Sequence, residues 1–360
     1  MILNVFSSVY GAAASWRRRW YSGNPSRQQR LTKPVISVGN LRVGGTGKTP
    51  VVAHVCELLL SQGERPAILT RGYGRTRPSA GVTVVSNGGK ILADVGSAGD
   101  EPLMLAQSLP VPVLVGDDRF QCGQQAERDF TITVHLLDDG FQHLTLARDV
   151  DLLLVGDQDL NDRVLPAGRL REPLTSASAA HALLVPSDDA GAVARVAHAV
   201  GVPQAFQVVR VIHKPRTLGQ PVPAHGAADR VLAFAGIARP ERFFSDLSAS
   251  GRTIAETLSF ADHHPYTQPD VDRIVERARA LRATIAMTTE KDAVRLEGLN
   301  FKGLVVQTIP ITVAIEPASQ FLSWLVDRLR ASRKRPSRSA PQEASSPRRS
   351  PSTPRSSRRP

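Results

Sequence analysis

The chain has 360 residues, which is long enough for two domains with hydrophobic cores. Its formal net charge is +12, but residues 1–33 carry +6 and residues 333–360 carry +8, which leaves −2 for residues 34–332. A near-neutral body argues against a nucleic-acid-binding protein, and two cysteines, Cys56 and Cys122, provide neither a disulfide framework nor a zinc ligand set. The sequence contains no run of about 18 apolar residues that could cross a bilayer.

The first 24 residues predict an amphipathic helix. One helix face carries apolar residues at alternating spacings of four and three, namely Ile2, Phe6, Val9, Ala13, Trp16 and Trp20. Two tryptophans beside the arginine cluster at 17–19 are typical of a helix that lies in a membrane interface. A secretory signal carries its charge before its apolar run, so we do not expect export. The alternative is an ordinary amphipathic helix that packs on the folded body.

Residues 33–63, KPVISVGNLRVGGTGKTPVVAHVCELLLSQG, predict a buried strand, a glycine-rich turn and a helix that stops at Gly63. Such a turn, a P-loop, surrounds a phosphate with backbone N–H groups at the positive end of the helix dipole. The candidate nucleotide-binding residues are Arg42, Val43, Gly44, Gly45, Thr46, Gly47, Lys48 and Thr49. Lys48 is expected to reach the outer phosphates, and the Thr49 hydroxyl to bind Mg²⁺. Arg42 stands where the usual G-x-x-x-x-G-K-[ST] pattern has glycine, and the alternative is a chance Gly-Lys-Thr in an ordinary turn.

Short apolar segments alternate with helix-length segments along the rest of the first half of the chain. The predicted strands cover residues 66–70, 112–115, 132–137, 151–155 and 182–185. This alternation predicts an α/β fold, in which a mostly parallel sheet is flanked by helices. Ligands of such sheets bind at the carboxyl ends of the strands, so the loops that follow the strands are candidate site segments.

Three of these segments carry charged residues that suit phosphate chemistry. In RGYGR, Arg71 and Arg75 can clamp phosphates or can belong to a solvated basic turn. Asp138 and Asp139, at the tip of a predicted strand, can reach Mg²⁺ or can form a plain turn. Asp100, which precedes a predicted helix, is either a general base or a helix N-cap.

A second, smaller α/β domain is predicted over residues 230–332, joined to a domain at 34–204 by a connector at 205–229. Its FADHHPYT segment, residues 260–267, indicates a metal site or a capped turn with solvated histidines. In TTEKDA, Lys and Asp are adjacent, unlike those of a guanine-reading loop, so ATP is favoured over GTP. Residues 333–360, rich in Arg, Ser and Pro, are expected to be disordered.

Seven motifs together resemble the tetraacyldisaccharide 4'-kinase family, the lipid A 4'-kinases. They are GNLRVGGTGKTP, LTRGYGR, DEPLMLA, LDDGFQH, LPAGRLREP, FADHHPYT and TTEKDA. The family's loop resembles GN-x-x-x-GG-x-GKTP, which accommodates the arginine at position 42. The resemblance implies a P-loop kinase core, a smaller C-terminal α/β domain, and a peripheral enzyme on the cytoplasmic face of the inner membrane. Such an enzyme moves the γ-phosphate of ATP to the 4'-hydroxyl of tetraacyldisaccharide 1-phosphate.

The resemblance also implies roles for single residues. Asp100 would deprotonate the acceptor together with His263 or its neighbour His264, and the histidine would complete the site only when the two domains close. Thr49, with Asp138 or Asp139, would hold Mg²⁺. The residues that match the family pattern and are expected at the phosphates or the substrate are Arg71, Tyr73, Arg119, Gln142, Arg171 and Glu172.

Two other classes of function compete with this one. A P-loop ATPase switch without a phosphoryl acceptor would explain the glycine-rich turn, but not the amphipathic N-terminus or the DEP and DHH segments. A nucleic-acid-binding protein would use the basic ends, but the tail has no aromatic residues between its charges. The expected partners are therefore the lipid A precursor and the inner-membrane surface, with ATP and Mg²⁺ as cofactors and no nucleic acid.

Overall fold

A computed structural model describes residues 2–45, 47–189, 191–218 and 230–334. In chain order the strands are β1 (Val35–Asn40), β2 (Pro66–Thr70), β3 (Thr83–Asn87), β4 (Pro112–Val115), β5 (Val134–Asp138), β6 (Val150–Leu154), β7 (Ala182–Pro186), β8 (Ala205–Ile212), β9 (Arg216–Thr217), β10 (Arg230–Ala235), β11 (Thr253–Ser259), β12 (Ile285–Thr288), β13 (Val305–Thr308) and β14 (Ile311–Glu316). The helices are α1 (Ile2–Ser22), α2 (Lys48–Ser61), α3 (Val95–Ala98), α4 (Asp100–Ser108), α5 (Arg119–Asp129), α6 (Asp157–Leu160), α7 (Gly191–Val200), α8 (Pro240–Ala249), α9 (Gln268–Ala280), α10 (Glu290–Ala293) and α11 (Ala318–Arg333).

The strands form two sheets, and each sheet is the centre of one lobe. The larger lobe has the strand order β14-β8-β7-β6-β1-β5-β2-β4-β3, and the smaller lobe has the order β11-β10-β12-β13-β9. Pairing is parallel except at the edges, where β3 pairs with β4, β14 with β8 and β9 with β13 in antiparallel fashion. The predicted α/β fold with a mostly parallel sheet is confirmed.

The inner strands of the larger sheet are buried along their whole length because helices cover both faces. β1, β2, β5 and β6 contain buried residues only. Neighbouring residues of one strand enter different cores, since side chains alternate between the two faces of a sheet. Leu136, for example, packs in the cluster that includes α2, whereas Leu137 packs in the cluster that includes α5. Apolar segments without alternation are typical of such doubly covered strands.

The boundary between the lobes differs from the one predicted. The connector expected over 205–229 begins with β8, which pairs with β7 in the larger sheet. The chain also returns from the smaller lobe, because β14 pairs with β8 and α11 packs on the larger core through Phe321. Arg333, expected at the start of a tail over 333–360, is the last residue of α11, and residues 335–360 lie outside the described part of the chain.

Helix α1 contacts the larger lobe through its polar face. Its apolar face is exposed, with exposed fractions of 60% for Phe6, 65% for Val9 and 60% for Trp16. On the opposite face, the Ser7 hydroxyl donates to the Val164 carbonyl at 2.6 Å. The side chain of Ile2, predicted on the apolar face, lies outside the description. The alternative in which the apolar face packs on the body is therefore wrong for the described residues.

No helix among the described residues combines the length and the apolar character that a membrane span requires.

A buried ion pair attaches α1 to the loop that precedes β7. The Arg18 guanidinium donates to both carboxylate oxygens of Glu172, at 2.6 and 2.8 Å, and to the Phe141 carbonyl at 3.0 Å. Both side chains are at most 10% exposed. Glu172 was expected at the phosphates or the substrate. In the structure its carboxylate binds Arg18 of the N-terminal helix.

We expect Arg18→Met to lower the free energy of unfolding by about 3 kcal/mol, because it leaves the buried Glu172 carboxylate without its partner. Arg18→Met/Glu172→Met should recover much of that loss, since no buried charge then remains. Urea unfolding of the full chain measures both variants. Arg30→Met is the matched control, because its pair with Asp149 leaves the arginine 51% exposed and is worth about 1 kcal/mol at most. Equal losses for Arg18→Met and Arg30→Met would contradict the prediction.

Candidate active site

The carboxyl ends of three adjacent strands form the floor of the candidate site. β1, β5 and β2 are neighbours in the larger sheet and end at Asn40, Asp138 and Thr70. Gly39 of β1 lets the turn after β5 approach closely, because a Cβ at that position would lie 2.5 Å from the Cβ of Phe141. The turn that carries the predicted acid pair is thereby placed directly beside the start of the P-loop.

The P-loop has the predicted strand, turn and helix order. Gly44 and Gly47 adopt φ angles of 95° and 80°, a region that favours glycine, and α2 begins at Lys48. The Val43 N–H donates to the Arg169 carbonyl at 2.9 Å, so the loop rests on the LPAGRLREP segment. Thr46 lies outside the described residues. Gly63, the predicted stop of the helix, has a φ angle of 76° just beyond the end of α2.

Arg42 does not point its side chain into the P-loop cradle. Its guanidinium donates to Asp159 at 2.7 Å and to Asp162 at 2.6 Å, and the side chain is 10% exposed. Asp159 belongs to α6, so these bonds join the P-loop to the next segment beyond β6. The side chain predicted among the nucleotide-binding residues thus has a structural partner, and its position lies outside the turn that needs glycine.

Lys48, Asp139 and Arg171 form a charged cluster around Asn40. The Lys48 ammonium lies 3.0 Å from Asn40 Oδ1 and 3.5 Å from Asp139 Oδ1. Arg171 donates to both carboxylate oxygens of Asp139, at 2.9 and 2.8 Å. Burial alone raises the pKa of Asp139, but the hydrogen bonds from Arg171 and the charge of Lys48 lower it to about 2. The cluster therefore presents two cations to the mouth of the P-loop.

Asp138, the sequence neighbour of Asp139, has one carboxylate oxygen without a hydrogen-bond partner among the described residues. Its Oδ2 accepts from the Thr70 hydroxyl at 3.3 Å, whereas its buried Oδ1 has no hydrogen-bond partner among the described residues. Burial, and after it the charge of Glu101, raises the pKa of Asp138 to about 7. A divalent cation would satisfy such an oxygen. The described residues contain no group of three or more His, Cys, Asp or Glu side chains that could hold a metal by themselves.

Asp100 and His263 meet across the two lobes. Asp100 is the first residue of α4, and its Oδ2 lies 2.9 Å from Nδ1 of His263, which comes from the loop after β11. His263 has a φ angle of 59°, a left-handed conformation that is uncommon for residues other than glycine. Burial raises the pKa of Asp100, but the hydrogen bond to His263 and the charges of Lys291 and Arg295 outweigh it, so the pKa is lowered.

The other histidine of the DHH segment has a different environment. His264 Nε2 lies 3.1 Å from Asp270 Oδ2, and this carboxylate also caps the start of α9 by accepting from the Thr267 N–H. The His264 ring packs on Phe260 and Tyr266 with centroids 4.9 and 5.0 Å away. Of the two candidates that the sequence leaves open, the structure places His263 at Asp100.

The other predicted contact residues lie either at the Asn40 cluster or in and beside the loops that follow β2 and β4. Gln142 belongs to the Asn40 cluster, since its side-chain amide donates to the Asn40 carbonyl at 3.0 Å. Tyr73 is 73% exposed, and its ring lies edge-on to the His263 ring at 5.4 Å. Arg71 is exposed beside Asp117, whereas Arg119 is buried and its Nε has no partner among the described residues. Burial and the charge of Arg71 lower the pKa of Arg119.

Two residues at the site were not predicted as functional. Lys291 lies 3.2 Å from His263 Nε2, and Arg295 lies 3.6 Å from Asp100 Oδ2. Lys291 belongs to α10 and to the TTEKDA motif. Arg295 lies in the turn after α10, four residues beyond Lys291. The motif contributed to the family resemblance and favoured ATP over GTP, but no role was assigned to its lysine, although a lysine that follows a buried strand of the second domain was itself a signal of a site.

Known proteins with similar sequences and structures point to one family. The family model LpxK, tetraacyldisaccharide-1-P 4'-kinase, matches residues 1–330. The tetraacyldisaccharide 4'-kinase of Koribacter versatilis is 38% identical over 331 residues, which cover 90% of this chain and 98% of that protein. The one of Geobacter metallireducens is 41% identical over 301 residues, covering 82% and 88%.

Among solved structures, the chain is similar to LpxK from Aquifex aeolicus, crystallised in complex with ATP. The TM-score is 0.72 and the sequence identity 31%, with 90% of this chain and 97% of that chain covered. The match includes both lobes and agrees with the family model. This chain therefore belongs to the tetraacyldisaccharide 4'-kinase family.

Proposed function

We propose that this chain transfers the γ-phosphoryl group of ATP to the 4'-hydroxyl group of tetraacyldisaccharide 1-phosphate, a step of lipid A biosynthesis. The observation that carries the proposal is the contact between Asp100 and His263. It brings a carboxylate and an imidazole together where the smaller lobe meets the lobe that holds the P-loop. A phosphate-binding loop and a proton acceptor are the two parts that a kinase requires.

Phosphoryl transfer is accelerated mainly by positioning and by charges that face the phosphoryl oxygens in the transition state. Lys48 and Arg171 supply two such charges, and both are held in place by Asp139 and Asn40. The Gly44 and Gly47 turn adds backbone N–H groups at the start of α2. These groups bind and orient the outer phosphates of ATP.

The donor set also fits Mg²⁺. Asp138 Oδ1 is buried without a partner among the described residues, and Thr49 follows the P-loop lysine with its side chain largely buried. Asp139 is already paired with two cations, so Asp138 is the better candidate for direct contact with the ion. We assign Thr49 and Asp138 as the residues that would hold Mg²⁺, which neutralises phosphate charge when bound.

The acceptor hydroxyl loses its proton to the Asp100–His263 pair. Asp100 is ionised at neutral pH, because its pKa is lowered, and it faces Nδ1 of His263. The carboxylate takes the 4'-hydroxyl proton as the phosphoryl group arrives, and His263 orients the carboxylate. Tyr73, Arg71 and Arg119 lie in or next to the loops that follow β2 and β4, and we assign them to the sugar or phosphate groups of the acceptor.

A labelled-phosphate assay tests the proposal. The full chain is incubated with ATP labelled in its γ-phosphate and with tetraacyldisaccharide 1-phosphate in detergent. We expect the label at the 4'-position of the disaccharide. Release of labelled phosphate without transfer would contradict the proposal and would instead support an ATPase switch.

The exposed face of α1 supports attachment to the surface of the inner membrane, on its cytoplasmic side where ATP is available. Phe6, Val9, Trp16 and Trp20 are exposed on one side of the helix, and the buried contacts of α1 lie on the other side. Arginines 17–19 lie in the same helix as the tryptophans, which suits anionic lipid headgroups. The basic tail at 335–360 would add attraction of about 1 kcal/mol per basic residue near the surface at most.

We expect Phe6→Asn/Trp16→Asn to lower binding to anionic phospholipid vesicles by about tenfold or more, because each side chain loses apolar area that the interface would bury. Turnover of detergent-solubilised substrate should be unchanged. Vesicle flotation measures the binding. Ile91→Asn/Leu92→Asn is the matched control, since these side chains are exposed to a similar degree but lie beside the edge strand β3. If the control loses as much binding, α1 is not the membrane contact.

A further inference from the structure

Lys291 stands at the centre of the contact between the two lobes. Its ammonium lies 3.2 Å from His263 Nε2, 3.1 Å from Glu101 Oε1 and 3.8 Å from Asp100 Oδ2. Asp262 Oδ1 is also 3.8 Å away, and the Lys291 side chain is 18% exposed. One cation therefore faces three carboxylates and the ring nitrogen of His263 that does not face Asp100.

The position of Lys291 is fixed by its surroundings. α10 begins after β12, and the Thr289 hydroxyl caps it by accepting from the Asp292 N–H. The buried Asp292 carboxylate accepts from the Gly236 N–H and from the Tyr266 hydroxyl. These bonds tie α10 to the end of β10 and to the DHH loop. Lys291 and His263 thus belong to the same lobe, and these bonds hold them next to each other.

The contact with the Lys291 ammonium determines which ring nitrogen of His263 carries a proton. A lysine ammonium donates hydrogen bonds and accepts none, so the ring nitrogen it faces must be an acceptor. His263 Nε2 therefore carries no proton, and the proton on Nδ1 donates to Asp100. Without the ammonium, Nε2 would face only the carboxylate of Asp262, at 3.8 Å, which favours a second proton on the ring.

We propose that Lys291 is a positioning residue that keeps His263 neutral, so that the Asp100–His263 pair can accept the proton of the acceptor hydroxyl. The proposal rests on the proposed kinase function. A doubly protonated His263 between Asp100 and Asp262 would already hold the proton that the reaction must deliver. The proton passes from the 4'-hydroxyl to the Asp100 carboxylate as the bond between that hydroxyl oxygen and the γ-phosphorus forms, while the bond between the γ-phosphorus and the ADP oxygen breaks and ADP leaves.

The charged groups around the pair come from both lobes. Asp100 and Glu101 belong to α4, and Asp262 belongs to the loop of His263 itself. Arg295 lies 3.6 Å from Asp100 Oδ2, but its guanidinium is also bonded to Asp292 and to the carbonyls of Gly236 and His264. Arg295 contacts the carboxylate side of the pair only, so Lys291 is the cation that decides the proton on Nε2.

Nitrogen-15 NMR of the full chain, labelled at the histidine ring nitrogens, tests the protonation without any substrate. The His263 signals are identified among those of the nine histidines by their loss in His263→Asn. We expect one protonated and one unprotonated nitrogen at neutral pH in the unsubstituted chain. In Lys291→Met the pH at which the ring binds its second proton should rise, and both nitrogens should be protonated at neutral pH.

Kinetics test the consequence. We expect Lys291→Met to lower kcat at neutral pH by about 10- to 100-fold, a part of what acid–base catalysis contributes, with the KM for ATP unchanged. Activity should recover as the pH is raised and the second proton leaves the ring. In a His263→Asn background, Lys291→Met should have little further effect. A lysine that only stabilised the fold would produce no such recovery.

Lys302→Met is the matched control, because Lys302 pairs with Asp272 at 2.8 Å on the surface of the same lobe. It should change neither the His263 signals nor kcat. An unchanged His263 titration in Lys291→Met would overturn the proposal, even if the chain proved not to be a lipid kinase. If the Met variant does not fold, Lys291→Gln is measured in the same way, and a shift in the same direction but smaller is expected because the amide can still donate.

Discussion

Lys48→Ala is expected to lower turnover by on the order of 10²- to 10³-fold, the cost of removing one charge or donor that faces the transition state. The ammonium lies at the end of β1, 3.0 Å from Asn40 Oδ1 and 3.5 Å from Asp139 Oδ1, where the P-loop turns into α2. Charge on the phosphoryl oxygens changes most in the transition state, so the effect should fall on kcat more than on the KM for ATP.

The labelled-phosphate assay with purified variants measures this prediction. Lys90→Ala is the matched control, because Lys90 is an exposed lysine of the same lobe near the edge strand β3. Thermal unfolding should show that Lys48→Ala remains folded, since Arg171 still compensates Asp139. A Lys48→Ala variant with nearly unchanged turnover would mean that the glycine-rich turn does not bind the transferred phosphates.

The parts of the fold that the sequence predicted are those set by local pattern. β2 and β4 lie at the predicted residues, because runs of Val, Ile and Leu bounded by turns are typical of strands buried on both faces. The edge strand β3 was missed, since only two of its five residues, Val85 and Ser86, are buried and its pattern is weak. β14 was missed as part of the larger sheet because it returns there after the whole smaller lobe, which no local pattern records.

Two of the predicted site residues have ion-pair partners that the sequence did not indicate. Arg42 and Glu172 stand in motifs that suggested nucleotide or substrate contacts, yet their partners are Asp159 and Arg18, more than a hundred residues away. The periodicity of α1 correctly gave its apolar face. It could not say which face would contact the body, because a membrane and a protein core favour the same pattern.

The residues of the candidate active site were predictable in part. Asp138 ends a strand of the parallel sheet that also carries the P-loop, and Asp139 follows it, so the fold class alone places both acids near the P-loop. Asp100 and His263 are 163 residues apart and come from different lobes, and only the family resemblance joined them. Lys291 and Arg295 were missed because their role depends on how the two lobes meet.

Asp100→Asn is expected to lower kcat by about 10²- to 10⁴-fold, the range that a general base contributes, and to leave ATP binding nearly intact. The amide keeps the size of the side chain but cannot take the 4'-hydroxyl proton. His263→Ala should cause a comparable loss, because the imidazole holds the carboxylate at 2.9 Å. His264→Ala should affect stability more than turnover, since this ring packs on Phe260 and Tyr266.

The double variant Asp100→Asn/His263→Ala distinguishes a joint role from two separate ones. Residues that act as one unit lose their effect once either is gone, so the double variant should be little worse than the poorer single variant. Turnover and the KM for ATP are measured for the two single variants and the double variant on detergent-solubilised acceptor. Fully additive losses would mean that Asp100 and His263 serve different steps. A larger loss of turnover in His264→Ala than in His263→Ala would move the role to His264. Either result would separate the 2.9 Å contact across the lobes from the chemistry, because a histidine that acts through Asp100 has no further effect once Asp100 is replaced.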